Sequence, residues 1–236
     1  EAGAAAVASH TGSLASPDAI VDAFLNQCGA LRVTTIQETL TALRAIERGV
    51  LPRGNRVAIL TNAGGAGIIA ADACERMGIA VPAFGKGARQ KLAEFLPAEA
   101  GLGNPIDMIA TAGASDYGHG LAVGLAEADA AIVIFRPPLV LKDAPETVAD
   151  HIIEAAAQAP DKPVLVCTLS DQSTPAVERL RAAKLPVYAM PETAVEALAV
   201  LDRARRIRES WQAPEPPRSF DRLRAHEVLC RVLSEG

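Results

Sequence analysis

The stretch RVAILTNAGGAGIIAADACERM, residues 56–77, decides the fold of this chain. Its residues 57–60 are apolar and flanked by polar side chains, which predicts a buried strand. A glycine-rich turn follows at residues 61–67, and apolar residues then recur at helical spacing up to Met77. The sequence therefore predicts a strand, a tight turn and a helix in direct succession.

The glycine-rich turn can be interpreted in two ways. Glycine lets a backbone bend sharply and lets a ligand approach it closely. The first turn of the helix would leave N–H groups unpaired, and these donors, together with the helix dipole, favour an anion, most often a phosphate. Alternatively, Gly64, Gly65 and Gly67 only permit close packing between strand and helix. The turn by itself does not decide between a phosphate site and tight packing.

Composition limits the classes of protein to which the chain can belong. Half of its 236 residues are apolar but only 3% are aromatic, which is typical of helices packed on a parallel sheet. The net charge of -5 argues against a nucleic-acid partner. No apolar run reaches the roughly 20 residues that span a bilayer, so we expect no membrane association. The four cysteines are far apart in the chain, which argues against a disulfide framework or a zinc site and favours a cytoplasmic location.

The pattern of the first 50 residues predicts the C-terminal end of a domain. Ser16 and Pro17 predict a helix start and Gly29 its end, and this helix is expected to bury Ile20, Ala23 and Phe24. The other elements predicted here are a strand at 31–33, a helix at 37–48 capped by Thr34 or Thr35 and stopped by Gly49, and a linker at 51–54 that marks a domain boundary.

From residue 56 onward, strands and helices alternate, which predicts a parallel sheet with helices on both faces. The predicted strands are 57–60, 79–81, 130–135, 163–168 and 187–189, and the helices are 66–77, 88–95, 115–126, 145–158, 174–183 and 192–208, with a bend that contains extended residues at 103–107. Binding sites in such sheets lie beyond the carboxyl ends of the strands. Because the glycine-rich turn lies at such an end, the position favours the phosphate interpretation. A proline-rich spacer at 211–217 and an amphipathic helix at 219–233 resemble the start of a further domain.

The chain contains four histidines, each a candidate for a catalytic or metal-binding role. His10, in a turn beside Thr11 and Ser13, could be a nucleophile that accepts a phosphoryl group, but a lone histidine without context is more often an exposed loop residue. His119, His151 and His226 fall on predicted helices among charged residues, so we expect them at the surface. No two histidines have the spacing of metal ligands, and no metal site is predicted.

Two further side chains lie near predicted strand ends. Asp107 could orient groups near the glycine-rich turn. The favoured interpretation, however, is that Asn104–Pro105 forms a turn and that Asp107 caps a helix without a direct chemical role. Arg136 could contact an anion or could be an ordinary solvated arginine. Lys86, Lys91 and Lys142 are expected to be solvated.

Three motifs resemble one family: SHTGSLAS at 9–16, TNAGGAG at 61–67 and NPIDM at 104–108. They are similar to the NDP-forming acyl-CoA synthetases, which include ADP-forming acetate–CoA ligase and are relatives of succinyl-CoA synthetase. The resemblance runs in order through residues 1–208 and implies flavodoxin-like domains. Residues 1–50 would be the C-terminal part of a first such domain, 55–209 a complete second one, and 210–236 a linker and helix leading to an ATP-grasp domain.

The resemblance also implies roles for individual residues. His10 would be the phosphorylated histidine, supported by Thr11, Gly12, Ser13 and Asp107. The phosphate-binding turn would comprise Asn62, Gly64, Gly65, Ala66 and Gly67. One departure is Ser16, which stands where the family usually has glycine. The CoA-binding domain, a second phosphate-binding helix and an acidic partner of the histidine are expected upstream of Glu1, so this part alone is expected to be inactive.

The implied function is the interconversion of acyl-CoA, ADP and phosphate with the acid, CoA and ATP, through an acyl phosphate and a phosphohistidine. CoA, ATP or ADP, phosphate and Mg²⁺ would be used with the help of CoA-binding and ATP-grasp domains, and a homo-oligomer is an open option. An alternative is a regulatory, ligand-sensing module of a protein lysine acetyltransferase, but a sensor would not need His10. A plain interaction domain ranks last, because it explains neither His10 nor the glycine-rich turn.

Overall fold

The structure, a computed structural model, describes residues 18–136 and 143–211 together with Arg224, His226, Glu227, Cys230 and Arg231. The predictions for His10, Thr11, Gly12 and Ser13 fall outside the described residues. So do the proline-rich spacer from residue 212 and most of the final helix, whose described residues are all helical, as predicted.

Strands and helices alternate strictly in the described chain only from residue 106 onward. The helices are α1 (Asp18–Gln27), α2 (Ile36–Ile46), α3 (Gly64–Arg76), α4 (Lys86–Ala93), α5 (Ala114–Glu127), α6 (Pro145–Ala157), α7 (Pro175–Ala182) and α8 (Pro191–Ser210). The strands are β1 (Val57–Thr61), β2 (Gly101–Leu102), β3 (Ile106–Asp107), β4 (Ala130–Ile134), β5 (Val164–Cys167) and β6 (Val187–Tyr188).

The described strands form one six-stranded sheet in the order β2-β3-β1-β4-β5-β6. From β3 to β6 all neighbours are parallel, which confirms the predicted parallel sheet. The first of the described strands, β1, lies inside the sheet, between β3 and β4, as in flavodoxin-like folds. Strand β2 is the exception, because it pairs antiparallel with β3.

Side chains alternate along the central strands between two cores, as the pleat of a strand requires. Ala58 and Leu60 on β1 belong to the core covered by α4, α5, α6 and α7. Val57 and Ile59 belong to the core covered by α2, α3 and α8. All four side chains are fully buried, so helices on both faces of the sheet are confirmed.

The predicted bend with extended residues at 103–107 is confirmed, and its last two residues form β3, whereas the preceding strand β2 is not part of the prediction. β2 and β3 are too short to show a periodicity of apolar residues. The Asn104 side chain continues the pairing of β1: it accepts a hydrogen bond from the Ile59 N–H at 2.9 Å and donates one to the Val57 carbonyl at 2.8 Å. The Asn-Pro turn itself is present.

Two predicted strands do not form. Residues 79–81 make only an isolated parallel bridge between Ala80 and Arg56; the next residue, Pro82, has no N–H with which to extend a ladder. Residues 31–33 pair with no strand in the described part of the chain, and Arg32 instead bonds the side chains of Asp18 and Asp22 on α1.

The burial predicted for α1 is also wrong. None of its residues is buried, and Ile20 and Phe24 are each 62% exposed. An amphipathic pattern shows which face of a helix could pack but not that a packing partner is present. Nothing in the described parts of the chain is long and apolar enough as a helix to cross a bilayer.

Candidate functional site

The candidate site lies at the carboxyl ends of β1 and β4. After β1 the chain turns into α3 on one face of the sheet, and after β4 it continues to α6 on the other face. Helices that leave adjacent strands toward opposite faces open a crevice between the strand ends, where ligands of such sheets bind. The predicted phosphate turn, Asn62 to Gly67, forms one wall of this crevice.

Asn62 joins the two strand ends. Its side chain is nearly buried, at 6% exposure. The Nδ2 group donates to the Arg136 carbonyl at 2.7 Å, and Oδ1 accepts from the Arg136 N–H at 3.0 Å. This pair of bonds fixes the amide between the turn and the end of β4. Sequence reasoning missed the contact, because the partners are 74 residues apart and no local pattern links them.

Thr61 holds the start of α3. Its buried hydroxyl accepts from the Ala63 N–H at 2.9 Å and donates to the Ala63 carbonyl at 3.0 Å. Ala63 is the N-cap residue of α3 and provides no capping side chain. Helix α3 begins at Gly64, two residues earlier than predicted, and no side chain caps its N-terminus.

Gly65 is the glycine that the protein's own packing does not require. It is exposed, a Cβ atom there would meet nothing within 4 Å, and its φ angle is not positive. Among the described residues, the N–H groups of Gly64 and Gly65 donate to no acceptor, whereas those of Ala66 and Gly67 both bond the Ala63 carbonyl. Close approach by an outside group remains as a reason for glycine at position 65.

Gly64 and Gly67 are required by packing. A Cβ on Gly67 would lie 2.9 Å from Thr61 Cγ2, and one on Gly64 would lie 2.4 Å from Asp107 Oδ2. The two interpretations of the turn thus apply to different glycines: packing explains Gly64 and Gly67, while Gly65 is left open to solvent.

Asp107 lies on the other side of β1, at the end of β3, level with Thr61. Its Oδ1 accepts the Ile109 N–H at 3.1 Å, and Ile109 has a φ of 56°, an unusual backbone conformation for a β-branched residue. The predicted helix-capping role of Asp107 is wrong, since α5 is capped by other carboxylates. Asp116 accepts the Gly113 N–H at 2.7 Å and Asp143 accepts the Ala114 N–H at 2.8 Å. The structure therefore places the Asp107 carboxylate against Gly64, on the β3 side of the glycine-rich turn.

Charges distinguish α3 from the other helices that follow strands of the sheet. Its first turn contains no acidic residue. The first turns of the others carry Asp116, Glu146, Glu178 and Glu192, respectively. An acidic side chain compensates the partial positive charge of a helix N-terminus and repels a second anion, so of these helices α3 is best suited to receive one.

Other chemically active groups in the described chain are not arranged for chemistry. Burial raises the pKa of the Cys74 thiol to about 12 and that of Cys167 to about 11, so both stay protonated at neutral pH. His119 is exposed, as predicted, and packs edge-on against Phe95, while His151 is half-buried. The described residues contain no cluster of three or more metal-ligating side chains.

Comparison with known protein families agrees with this geometry. Residues 1–46 match the succinyl-CoA ligase like flavodoxin domain, and residues 57–212 match the Ligase-CoA domain. The chain belongs to the NDP-forming acyl-CoA synthetase family. The two matches leave residues 47–56 between them, where the linker at 51–54 is predicted. The proposed division at that linker stays a prediction.

Individual synthetases of the family are similar over most of this chain. The alpha subunit of ADP-forming acetate–CoA ligase II from Pyrococcus furiosus is 37% identical over 88% of this chain and 46% of its own length. ADP-forming acetate–CoA ligase I from Archaeoglobus fulgidus is 31% identical over 100% of this chain and 33% of its own length. The chain thus spans less than half the length of these relatives.

A solved synthetase has the same fold. It is the dinucleotide forming acetyl-coenzyme A synthetase 1 of Ca. Korarchaeum cryptofilum, in complex with phosphate and ADP. The two structures align with a TM-score of 0.77 and 31% identity over 88% of this chain and 45% of that one. The flavodoxin-like fold class is therefore confirmed. Because these relatives are named as ligases or synthetases, the acetyltransferase-module alternative is not favoured.

Proposed function

We propose that this chain is part of an acid–thiol ligase that interconverts acyl-CoA, ADP and phosphate with the acid, CoA and ATP. The observation that carries the proposal is the open N-terminus of α3, with the unpaired N–H groups of Gly64 and Gly65 at the crevice between β1 and β4. Donors fixed in this way stabilise the charged oxygens of a phosphoryl group without having to reorganise. The names of the relatives support the ligase reaction.

The group that would accept the phosphoryl is the His10 imidazole. In the preceding step an oxygen of inorganic phosphate attacks the acyl carbon of acyl-CoA, a C–O bond forms, and the C–S bond breaks as CoA leaves, which yields the acyl phosphate. The neutral ring nitrogen of His10 then attacks the phosphorus of the acyl phosphate, a P–N bond forms, and the P–O bond to the acyl group breaks as the acid leaves as a carboxylate. An oxygen of the terminal phosphate of ADP then takes the phosphoryl group from His10, which restores the imidazole and yields ATP. The supporting roles of Thr11, Gly12 and Ser13 are to hold and hinge this turn.

The described residues would bind the phosphoryl group between these steps. Gly64 and Gly65 would donate backbone N–H groups to its oxygens, while Ala66 and Gly67 continue the helix that supports them. Asn62 would keep the turn in register with β4. Asp107 would hold the β3 side of the glycine-rich turn, where its carboxylate also accepts a bond from Ile109.

CoA, nucleotide and Mg²⁺ are proposed as ligands of the full-length protein because of the family to which the chain belongs. We propose that CoA-binding and ATP-grasp domains act together with this chain, and a homo-oligomer stays open. Because the described residues show no cluster of metal ligands, we assign no step to Mg²⁺. The scattered cysteines support a cytoplasmic location.

The test is phosphohistidine formation in the full-length protein. Incubation with ATP labelled on its terminal phosphate should give an acid-labile, base-stable label that maps to His10 and that added ADP removes. The variant His10→Asn should lose the label and the acyl-CoA-dependent synthesis of ATP. His119→Asn serves as the matched control, because His119 is exposed and packs against Phe95, on the face of the sheet opposite α3. Label that persists in His10→Asn would contradict the proposal.

A further inference from the structure

Arg136 lies beside the start of α3, as the register of the sheet shows. Thr61 on β1 is level with Ile134 on β4. Arg136 follows Ile134 by two residues, and its backbone is bonded by the side chain of Asn62, the residue that follows Thr61. The Arg136 backbone is therefore joined through one side chain to the turn that leads into α3.

The alternation of side chains assigns Arg136 to the face of the sheet that carries α3. Ile134 packs in the core beneath α3 and α8, and Phe135 packs in the opposite core. The Phe135 N–H bonds the Cys167 carbonyl at 2.8 Å, so the chain is still extended at the end of β4. In an extended chain the next side chain returns to the first face, which is the face of Gly64 and Gly65.

Asn62 holds Arg136 in this position. Its amide bonds both the N–H and the carbonyl of Arg136, in the way that a neighbouring strand would. The Arg136 side chain is exposed and forms no ion pair with any residue that the structure describes. The protein thus fixes the backbone of an arginine and leaves the guanidinium group available.

The charge of Asp107 explains why the crevice would need a cation. Its carboxylate lies against Gly64 and opposes the binding of an anion there. A guanidinium group on the β4 side can offset that charge and can also donate two parallel hydrogen bonds to phosphoryl oxygens.

We propose that Arg136 is a phosphate-binding residue of the crevice and that Asn62 is the positioning residue that holds it there. The inference rests on the proposed function, because the ligand is the phosphoryl group of that reaction. It adds a side-chain cation to a site otherwise formed by backbone N–H groups.

The test compares Arg136→Gln, Arg136→Lys and Arg76→Gln in the full-length protein. Arg76 is exposed at the other end of α3, about 18 Å along the helix, so its variant changes the charge equally but away from the crevice. Arg136→Gln should raise the KM for inorganic phosphate about ten- to a hundredfold, the range expected for lost bonds to a charged group, and leave the KM for CoA unchanged. Arg136→Lys should recover part of the loss, and Arg76→Gln should behave as wild type.

The role of Asn62 is tested by a double-mutant cycle. Asn62→Ala removes both bonds to the Arg136 backbone without adding a charge and should also raise the KM for phosphate. Because the two residues act as one unit, Asn62→Ala combined with Arg136→Gln should be no worse than Arg136→Gln alone. Additive effects would overturn the positioning role of Asn62.

The outcomes separate this inference from the proposed function. If the wild-type protein makes ATP from acyl-CoA, ADP and phosphate but Arg136→Gln keeps the wild-type KM for phosphate, the inference about Arg136 is wrong and the function stands. If the wild-type protein shows no phosphate-dependent reaction, the proposed function is wrong. Thermal denaturation of each variant shows whether an altered KM reflects a folded protein.

Discussion

The turn between β1 and α3 and the turn between β5 and α7 connect the same kinds of element but differ at the helix start. At α7 the Thr174 side chain accepts the Val177 N–H at 3.3 Å, and Pro175 in the first turn has no N–H to satisfy. At α3 the N-cap is Ala63, which caps nothing, and two glycines follow. The turn at α7 is closed by its own side chains, whereas the turn at α3 leaves donors open at the edge of the sheet.

The difference shows how one topology can provide both stability and binding. A capping side chain contributes about 1 kcal/mol to stability, and α3 forgoes this contribution. The open turn is instead held by Thr61, whose hydroxyl accepts the Ala63 N–H and whose methyl group packs against Gly67. The comparison therefore predicts that substitutions at the two turns separate stability from phosphate binding.

The largest effect is expected for Gly67→Ala, which would disturb the support of the open turn. The added Cβ would lie 2.9 Å from Thr61 Cγ2 and 3.4 Å from Pro105 Cβ, in a buried position. Overpacking of this kind costs about 2 kcal/mol, more than alanine gains over glycine in a helix. Urea denaturation should show the loss, and an unchanged midpoint would show that the turn can relax around a methyl group.

Next in size is the effect of Gly65→Ala on the use of phosphate. Since nothing lies within 4 Å of a Cβ at this position, stability should be unchanged or slightly raised. The methyl group would, however, project into the space where we place the ligand. We expect the KM for phosphate to rise about tenfold, equivalent to about 1.4 kcal/mol.

Gly87→Ala is the matched control for Gly65→Ala. Gly87 is the second residue of α4, just as Gly65 is the second residue of α3, and a Cβ there also meets nothing within 4 Å. Its variant should leave the KM for phosphate unchanged. Equal kinetics for the two variants would remove the open turn from the phosphate site.

A smaller effect is expected from Thr174→Ala at the closed turn. Loss of the cap to Val177 should lower the free energy of unfolding by about 1 kcal/mol, with no change in the KM for phosphate. Thr147→Ala, in the exposed first turn of α6, removes a threonine that is not an N-cap and should cost less. A change in phosphate kinetics in Thr174→Ala would show that the closed turn also belongs to the site.

Local signals in the sequence predicted much of the fold. Gly29 and Gly49 end their helices with φ angles of 69° and 70°, and Thr35 caps α2 through the Glu38 N–H at 2.9 Å. Apolar runs located β1, β4 and β5 because these strands are buried on both faces. Strand β2 escaped prediction, because it is two residues long and pairs only with β3, whose own pairing depends on the distant backbone of β1.

The candidate site was predictable only in part. The glycine-rich turn was visible as a pattern, but the separate reasons for Gly64 and Gly65 depend on where Asp107 lies. The bond between Asn62 and Arg136 joins residues that are brought together only by the order of strands in the sheet. The role of His10 depends on resemblance to the family and stays a prediction.

The smallest effect concerns Glu38, which closes the start of α2. Its carboxylate accepts the Thr34 N–H at 2.7 Å and also pairs with Arg203. The Thr34 N–H, with the Arg203 guanidinium, holds the pKa of Glu38 below its ordinary value of 4.5. The unfolded chain therefore binds the proton more readily, so this contribution is complete above about pH 5 and is lost as the pH falls through the folded pKa.

Glu38→Gln should remove that contribution, about 0.5 kcal/mol for a partly exposed pair. Urea denaturation should show the variant to be less stable than wild type at pH 7, with the difference vanishing at the acid end of the range. Because α2 lies away from the crevice, the KM for phosphate should not change. A difference in stability that persists unchanged into acid would mean that the Glu38 carboxylate acts by packing rather than by charge, and that the closed start of α2 does not depend on its ionisation.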